Sequence, residues 1–504
     1  METLNKEKIN CFNITMISIF YVCSMIEKIK KFEKLAEPLD PNKKSRKIAR
    51  EKVIEYTEEF LEKIDDGKIF NETIDKGAKL LSSPINEKGI SIEESLELFE
   101  KNVEIPGLNP ASGGHLAYIP GGGVYYSSLG DYIAAITNRY AGIFYASPGA
   151  VRMTNMLIRW MADTINYPST AGGNLSSGGS IANLTALATA RDAHTLKAKD
   201  YFKTVIYCTE HVHHCQDKAI RILGLSECII RRIPMDTKFR MKASLLNQQI
   251  NKDKKRGLNP WLVIASAGTT DIGAIDPLDS IGDICKKENL WFHVDAAYGG
   301  FFMLTSEGKK KLLGIEKSDS VVMDPHKGLF LPYGSGVLLV KDQNNLAVSH
   351  YYRANYMQDA LYDTDEISPA DISPELTKHF RAMRMWLPLK LCGTKPFKAC
   401  LNEKLLLAQY FYKKLSKTKG FEMGPKPELS VVTYRYIPQT GDPNTFNEAL
   451  LNEVIKDGRI FISSTLINGN FTLRLAILSF RSHLKIIDKT IQILIEKANK
   501  LENN

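Results

Sequence analysis

The stretch Ser320-Val-Val-Met-Asp-Pro-His-Lys-Gly328 decides how the rest of this chain is read. Val321, Val322 and Met323 form an apolar run without polar alternation, the pattern of a short strand buried in a parallel sheet. Pro325 cannot donate to a ladder and ends that strand. Lys327 therefore falls just past a strand's C-terminal end, where open α/β sheets place their chemistry. A second strand of the same make, Leu290-Trp-Phe-His-Val-Asp295, delivers a carboxylate at the equivalent place. The small residues that follow, Ala296-Ala-Tyr-Gly-Gly300, let a flat group approach the backbone. Taken singly, Lys327 reads as a solvated loop lysine and Asp295 as a helix cap. Together, a lysine able to form a Schiff base and a carboxylate able to hold a ring nitrogen point to one site.

Working outward, residues 150–345 alternate helical segments with apolar runs at Thr204–Cys208, Glu227–Arg231, Leu262–Ala267, Leu290–Val294, Ser320–Met323 and Gly336–Val340. Strands alternating with helices predict an α/β fold with a mostly parallel sheet and right-handed crossovers. Upstream, Asn174-Leu-Ser-Ser-Gly-Gly-Ser-Ile-Ala-Asn183 is a small, hydroxyl-rich turn opening into a helix. Its exposed backbone N–H groups, aided by Ser180, suit a phosphate, although any Gly-Ser turn can precede a helix. His211-Val-His-His214 follows the strand Thr204–Cys208. Without an HExxH helix or a cysteine pair it reads as a place for a histidine stacked on a planar group, not as a zinc site. The glycine-dense, aromatic His115–Tyr126 stretch reads as a loop forming a pocket wall, with an ordinary surface loop as the plainer reading.

In order along the chain stand Ser177-Gly-Gly-Ser-Ile-Ala-Asn-Leu184, His213, Gly268-Thr-Thr270, His293-Val-Asp-Ala-Ala-Tyr-Gly-Gly300 and Asp324-Pro-His-Lys327. This set resembles the group II pyridoxal-phosphate-dependent amino acid decarboxylases, which include the aromatic-L-amino-acid, glutamate, histidine and tyrosine decarboxylases. The likeness runs from about His115 to Leu473–Arg481, and its most specific part is HVDAAYGG with Lys327 32 positions after Asp295. It implies the type I fold of such enzymes, like that of aspartate aminotransferase, with pyridoxal 5'-phosphate as cofactor. By the same resemblance Lys327 forms the Schiff base, Asp295 pairs with the pyridinium nitrogen, and His213 and Ala297 lie on opposite faces of the ring. Gly178, Gly179 and Ser180 take the phosphate with help from His326, Thr270 sits beside cofactor and substrate, and Tyr118 and Arg474 reach the substrate.

The implied activity is decarboxylation of an L-amino acid, aromatic first and acidic second, to the amine and carbon dioxide. An oxygen-dependent aldehyde synthase on the same scaffold and a catalytically weak cofactor-binding homologue are the alternatives. The chain departs from the family pattern at three places. Asp324 stands where aromatic decarboxylases often carry Asn. A loop tyrosine that protonates the substrate carbon is expected ahead of Phe380–Trp386, yet counting back from Trp386 lands near Pro369, with Tyr351, Tyr352, Tyr356 and Tyr362 all nearby. Ile119 follows Tyr118 where Phe is common, and Gly121–Gly123 leave more room than usual.

The totals agree with an enzyme of this kind. At 504 residues the chain exceeds one core, and the reading divides it into a helical arm (1–108), a cofactor-binding α/β domain (109–390) and a smaller α+β domain (391–504). The net charge of +9 comes from scattered lysines without interleaved aromatics, which argues against a nucleic-acid partner. The eight cysteines show no CxxC spacing, which suits reduced thiols and a cytoplasmic setting. The apolar run Ile14–Met25 is shorter than the ~20 residues of a spanning helix, so it reads as a packing or oligomer contact and no membrane association is expected. Residues 26–104 are helical in pattern, with Ile48, Val53, Ile54, Tyr56, Phe60, Leu61 and Ile64 on one stripe and a helix start at Ser91–Ser95. An arm with one apolar face needs a cover. The family resemblance makes that cover a second subunit, in a homodimer with the active site at the interface.

Overall fold

The computed structural model describes the backbone of residues 2–352 and 366–503, with side chains from residue 19 onward. The chain falls into two compact units, residues 1–64 with 73–106 and residues 65–72 with 107–504.

In the first unit, helices span Glu2–Ala36, Lys43–Glu62 and Ile92–Phe99. Asn42 caps the second by accepting from the Lys44 and Ser45 amides. The third opens on the expected capping box, in which the Ser91 hydroxyl accepts from the Glu94 amide at 3.1 Å and the Glu94 carboxylate accepts from the Ser91 amide at 2.8 Å. The expectation of helix throughout 26–104 is corrected here. From Lys63 to Ser91 the backbone is irregular apart from a 3-10 turn, Ala78–Ser82, and a short strand at Phe70–Asn71. Pro84 and the glycines at 67, 77 and 89 interrupt what Lys and Glu content alone suggested. Ile48, Val53 and Ile54 of the apolar stripe are exposed. Among the described residues no helix is long and apolar enough to cross a membrane.

The second unit is built on a seven-stranded sheet: β1 (Gly172–Ser176), β2 (Thr204–Cys208), β3 (Ile229–Arg232), β4 (Asn259–Ser266), β5 (Trp291–Asp295), β6 (Ser320–Met323) and β7 (Gly336–Val340). Their order is β1-β7-β6-β5-β4-β2-β3. Within it β7 runs antiparallel to both neighbours, and the other pairings are parallel. Apolar side chains fill both faces. Val321 and Met323 of β6 join one core with Phe292 and Val294 of β5, while Val322 joins the other with Trp291. Each such side chain contributes about 1.5–3 kcal/mol by leaving water. Trp291, His293 and Asp295 thus share the face covered by the helix Gly179–Ala193.

The C-terminal part carries a separate four-stranded antiparallel sheet with its own core, including Phe411, Tyr434, Leu473 and Leu494. Helices Arg381–Cys392, Lys395–Leu415 and Leu484–Glu502 belong to the same C-terminal stretch of the chain. The stretch after Tyr118 differs from it in part, because Tyr125–Thr137 is helix and only residues 115–124 form a loop.

Candidate active site

The C-terminal ends of β4, β5 and β6, the turn after β1 and the segment after β2 meet around a cavity of about 360 Å³. Gly178, Gly179, Ser180, His213, Thr270, Asp295, Ala297, His326 and Lys327 all line it. Tyr118 and Arg474 do not. Tyr118 is 63% exposed and packs on Phe461, with ring centroids 5.9 Å apart. Arg474 is buried and donates through Nε to the Thr270 carbonyl at 2.8 Å and through Nη1 to Ser463 Oγ at 3.0 Å, while its Nη2 has no partner. It touches the cavity wall only through Thr270.

Asp295 ends β5 in a nest of donors. Its Oδ2 accepts from Asn183 Nδ2 and Gln216 Nε2, each at 3.1 Å, and its Oδ1 accepts from the Ala297 amide at 3.1 Å. Behind Asn183 a chain of hydrogen bonds runs through the core. Trp291 Nε1 donates to Ser320 Oγ at 2.9 Å, and Ser320 Oγ meets His293 Nδ1 at 2.8 Å. His293 Nε2 meets Asn183 Oδ1 at 2.7 Å. A carbonyl oxygen only accepts, so His293 carries its proton on Nε2 and takes the Ser320 hydroxyl at Nδ1. Every link then has one donor and one acceptor. Burial holds the His293 imidazole down to about 4, in the neutral form this chain requires.

Lys327 follows β6 on a single helical turn, Pro325–Gly328. Its Nζ lies 2.9 Å from Asp324 Oδ2. Burial pulls the ammonium down, but the charge and hydrogen bond of Asp324 outweigh it, and the lysine stands above its ordinary value. Asp324 is 1% exposed, and its Oδ1 has no partner. The same carboxylate lies under the Ser-Gly-Gly-Ser turn, where a methyl group on Gly179 would meet Oδ2 at 2.8 Å.

His213 takes the Cys215 amide at Nδ1, 3.2 Å away, which leaves the proton on Nε2. Burial lowers its proton affinity against the pull of Asp295. His326 donates from Nδ1 to the Ser335 carbonyl and points Nε2 towards Asp324 Oδ2 at 3.8 Å. Burial lowers it as well.

Residue reasoning gave no role to Asn183, Gln216 and Cys215. Asn183 stands in the quoted turn-and-helix stretch, where an amide set among the apolar residues Ile181, Ala182 and Leu184 was the available signal. Of the nearby tyrosines, Tyr351 and Tyr352 are exposed, while Tyr356 and Tyr362 lie outside the described residues. Pro369 opens a 3-10 turn, Pro369–Ile372, and is buried.

The cavity suits a phosphorylated pyridine. Gly178 leaves open space, with His326 Cε1 the nearest atom to an added Cβ at 3.9 Å, and Ser177 and Ser180 are exposed beside it. Asp324, whose buried Oδ1 has no partner, and Ala297, which presents only a methyl group, line the same cavity. The volume lies within the range of small-molecule sites.

Comparison with known proteins agrees. The family model described as the pyridoxal-dependent decarboxylase conserved domain matches residues 85–437. An aromatic-L-amino-acid decarboxylase of Bacillus atrophaeus is 32% identical over 433 residues, covering 84% of this chain and 89% of that protein. An acidic amino acid decarboxylase of Xenopus tropicalis is 31% identical over 368 residues, covering 71% of each. The crystal structure of Oryza sativa TDC with PLP and tryptamine shares the fold, with a TM-score of 0.85 at 22% identity over 92% of this chain and 99% of that one. A type I α/β sheet, a lysine and an aspartate on adjacent strand ends and this breadth of likeness place the chain in the pyridoxal-dependent decarboxylase family, as a carboxy-lyase that works with pyridoxal 5'-phosphate.

Proposed function

We propose that the chain decarboxylates an L-amino acid with an aromatic side chain, an acidic one being second choice, and that Lys327 and Asp295 carry the reaction. The observation behind this reading is the convergence of Lys327, Asp295, His213 and the Gly178–Ser180 turn on one cavity. The first-named relative acts on aromatic amino acids by its name, and the Xenopus relative on acidic ones.

When bound, pyridoxal phosphate supplies an electron-poor ring that accepts the pair left as a bond to the substrate's α-carbon breaks. The chain's residues do the rest. Lys327 Nζ is the nucleophile that holds and releases the cofactor. Asp295, fixed by Asn183, Gln216 and the Ala297 amide, keeps a proton at the ring nitrogen, a preorganised charge that needs no rearrangement during the reaction. The His213 ring and the Ala297 methyl, which both line the cavity, would hold the cofactor ring between them. Gly178, Gly179 and Ser180 receive the phosphate at the start of the helix Gly179–Ala193. His326 donates its Nδ1 proton to Ser335, so its Nε2 donates to phosphate only as an imidazolium. Thr270, held by Arg474 through its carbonyl, borders the substrate side.

The same reading takes residues 1–108 as an arm, 109–390 as the cofactor domain and 391–504 as a smaller domain; the separate core of the C-terminal sheet supports the last division. It takes the enzyme as a cytoplasmic homodimer. In support of a dimer, Tyr125, Leu129, Tyr132, Ile133 and Ile136 form an exposed apolar stripe at helical spacing. In support of a reducing compartment, Cys208, Cys215, Cys228 and Cys285 are buried free thiols.

The test is to incubate the purified chain and pyridoxal phosphate with each L-amino acid in turn and identify products by mass spectrometry. An amine and carbon dioxide from an aromatic amino acid are expected. An aldehyde with ammonia and peroxide, or no product from any amino acid, would overturn the reading.

A further inference from the structure

Asp324 has no assigned part in the chemistry, yet its carboxylate lies 2.9 Å from Lys327 Nζ. It lies at the end of β6, 1% exposed, and accepts no hydrogen bond at Oδ1. Its Oδ2 has one strong partner, Lys327 Nζ at 2.9 Å, and one weak one, His326 Nε2 at 3.8 Å. A buried carboxylate left without a counter-charge is costly, so Asp324 exerts a standing pull on any cation within reach.

On the reading above, Lys327 alternates between a joined and a free form, and the free amine has to rest somewhere without blocking the substrate. We propose that Asp324 is the docking carboxylate for free Lys327: it receives Nζ as an ammonium each time the lysine is released and holds it out of the substrate's way. In chemical terms the freed Nζ takes the proton that the substrate's own ammonium gives up on joining the cofactor, and the resulting lysine ammonium is bound by Oδ2. To rejoin the cofactor it returns that proton to the departing product amine, leaving the N–H electron pair as the nucleophilic lone pair. Asp324 therefore acts through Lys327 as a positioning residue.

The charged and titratable groups around Nζ are Asp324 and Asp295 as anions, His326 and His213 as largely neutral rings, and the Cys215 thiol, whose proton burial retains. Of these, Asp324 is the group at hydrogen-bond distance. Burial alone would favour the neutral amine, and the carboxylate reverses that preference. An asparagine at 324 would keep the shape and lose the charge.

The experiment is competitive acylation of the full-length chain, freed of cofactor, with trace acetic anhydride across a pH series. Lys327 and the exposed Lys485 are read by peptide mass spectrometry in the same sample. In the unaltered chain Lys327 should reach half-maximal labelling at a higher pH than Lys485. In Asp324→Asn the Lys327 midpoint should move to lower pH, so that at a fixed pH below it labelling rises by roughly tenfold or more, while Lys485 stays put. An unchanged Lys327 midpoint in Asp324→Asn overturns the proposal. If that variant does not fold, a Lys327 midpoint at or below that of Lys485 in the unaltered chain overturns it equally. Borohydride reduction after adding pyridoxal phosphate separates this from the functional reading: an adduct on Lys327 with no midpoint shift sinks the docking role alone, and no adduct sinks the reading beneath it.

Discussion

Two carboxylates end neighbouring strands of the same sheet, and they are held in opposite ways. Asp295 at the end of β5 is fixed by neutral donors, Asn183, Gln216 and the Ala297 amide, with the chain through His293, Ser320 and Trp291 behind it. Asp324 at the end of β6 has an empty oxygen and one close partner, the Lys327 side chain. A carboxylate that presents a constant charge is held at both oxygens by neutral donors, which fix its place without competing for its charge. A carboxylate that must let go of its partner is left under-satisfied. On the proposed function, the difference separates a part of the site that stays still from a part that works.

That contrast can be broken at several points. Lys327→Ala removes the moving member: turnover falls to background and pyridoxal phosphate leaves no borohydride-stable adduct, as intact mass would report. Asp295→Asn removes the fixed charge and lowers kcat by about 10²–10³-fold, the scale of losing one preorganised electrostatic group. Steady-state kinetics on the best substrate read this directly, and a loss under threefold would mean the network serves folding alone. Asn183→Leu leaves Asp295 in place but strips one donor from it and one acceptor from His293, at about 1.5–3 kcal/mol for a hydrogen bond to a charged group. The expected loss is roughly ten- to hundredfold in kcat, with KM nearly unchanged.

The smallest effect concerns stability. Burial lowers His293 from 6.5 to about 4, so the folded chain declines a proton that the unfolded chain accepts between those values. Its contribution to stability is complete above pH 6.5 and is lost as pH falls towards 4, by at most about 3 kcal/mol. Melting curves across this range should drop more steeply for the natural chain than for His293→Gln. Parallel curves would remove His293 from the account.

The moving and fixed parts of the site were not equally legible in the sequence. Lys327 and Asp295 stood out because each closes a uniformly apolar run, and β2, β6 and β7 lie where those runs predict. The wiring under Asp295 was hidden, since it comes from side chains on a helix and from strands distant in sequence. Strand β1, Gly172-Gly-Asn-Leu-Ser176, was missed for a related reason. It has no apolar run because β7 passes too close: a side chain on Gly173 would meet the Leu338 carbonyl at 2.2 Å. The N-terminal region shows the reverse, with a helical pattern expected throughout 26–104 where Lys63–Ser91 is largely irregular. Composition reports what a segment could form, and the glycines and Pro84 decided otherwise.

Everything above rests on Lys327 as the residue that takes the cofactor. The direct measurement is borohydride reduction of the purified chain with pyridoxal phosphate, followed by proteolysis and mass mapping of the modified lysine. A single reduced pyridoxyl group on the peptide containing Asp324-Pro-His-Lys327 is predicted. The group on any other lysine, or none at all, would contradict the account.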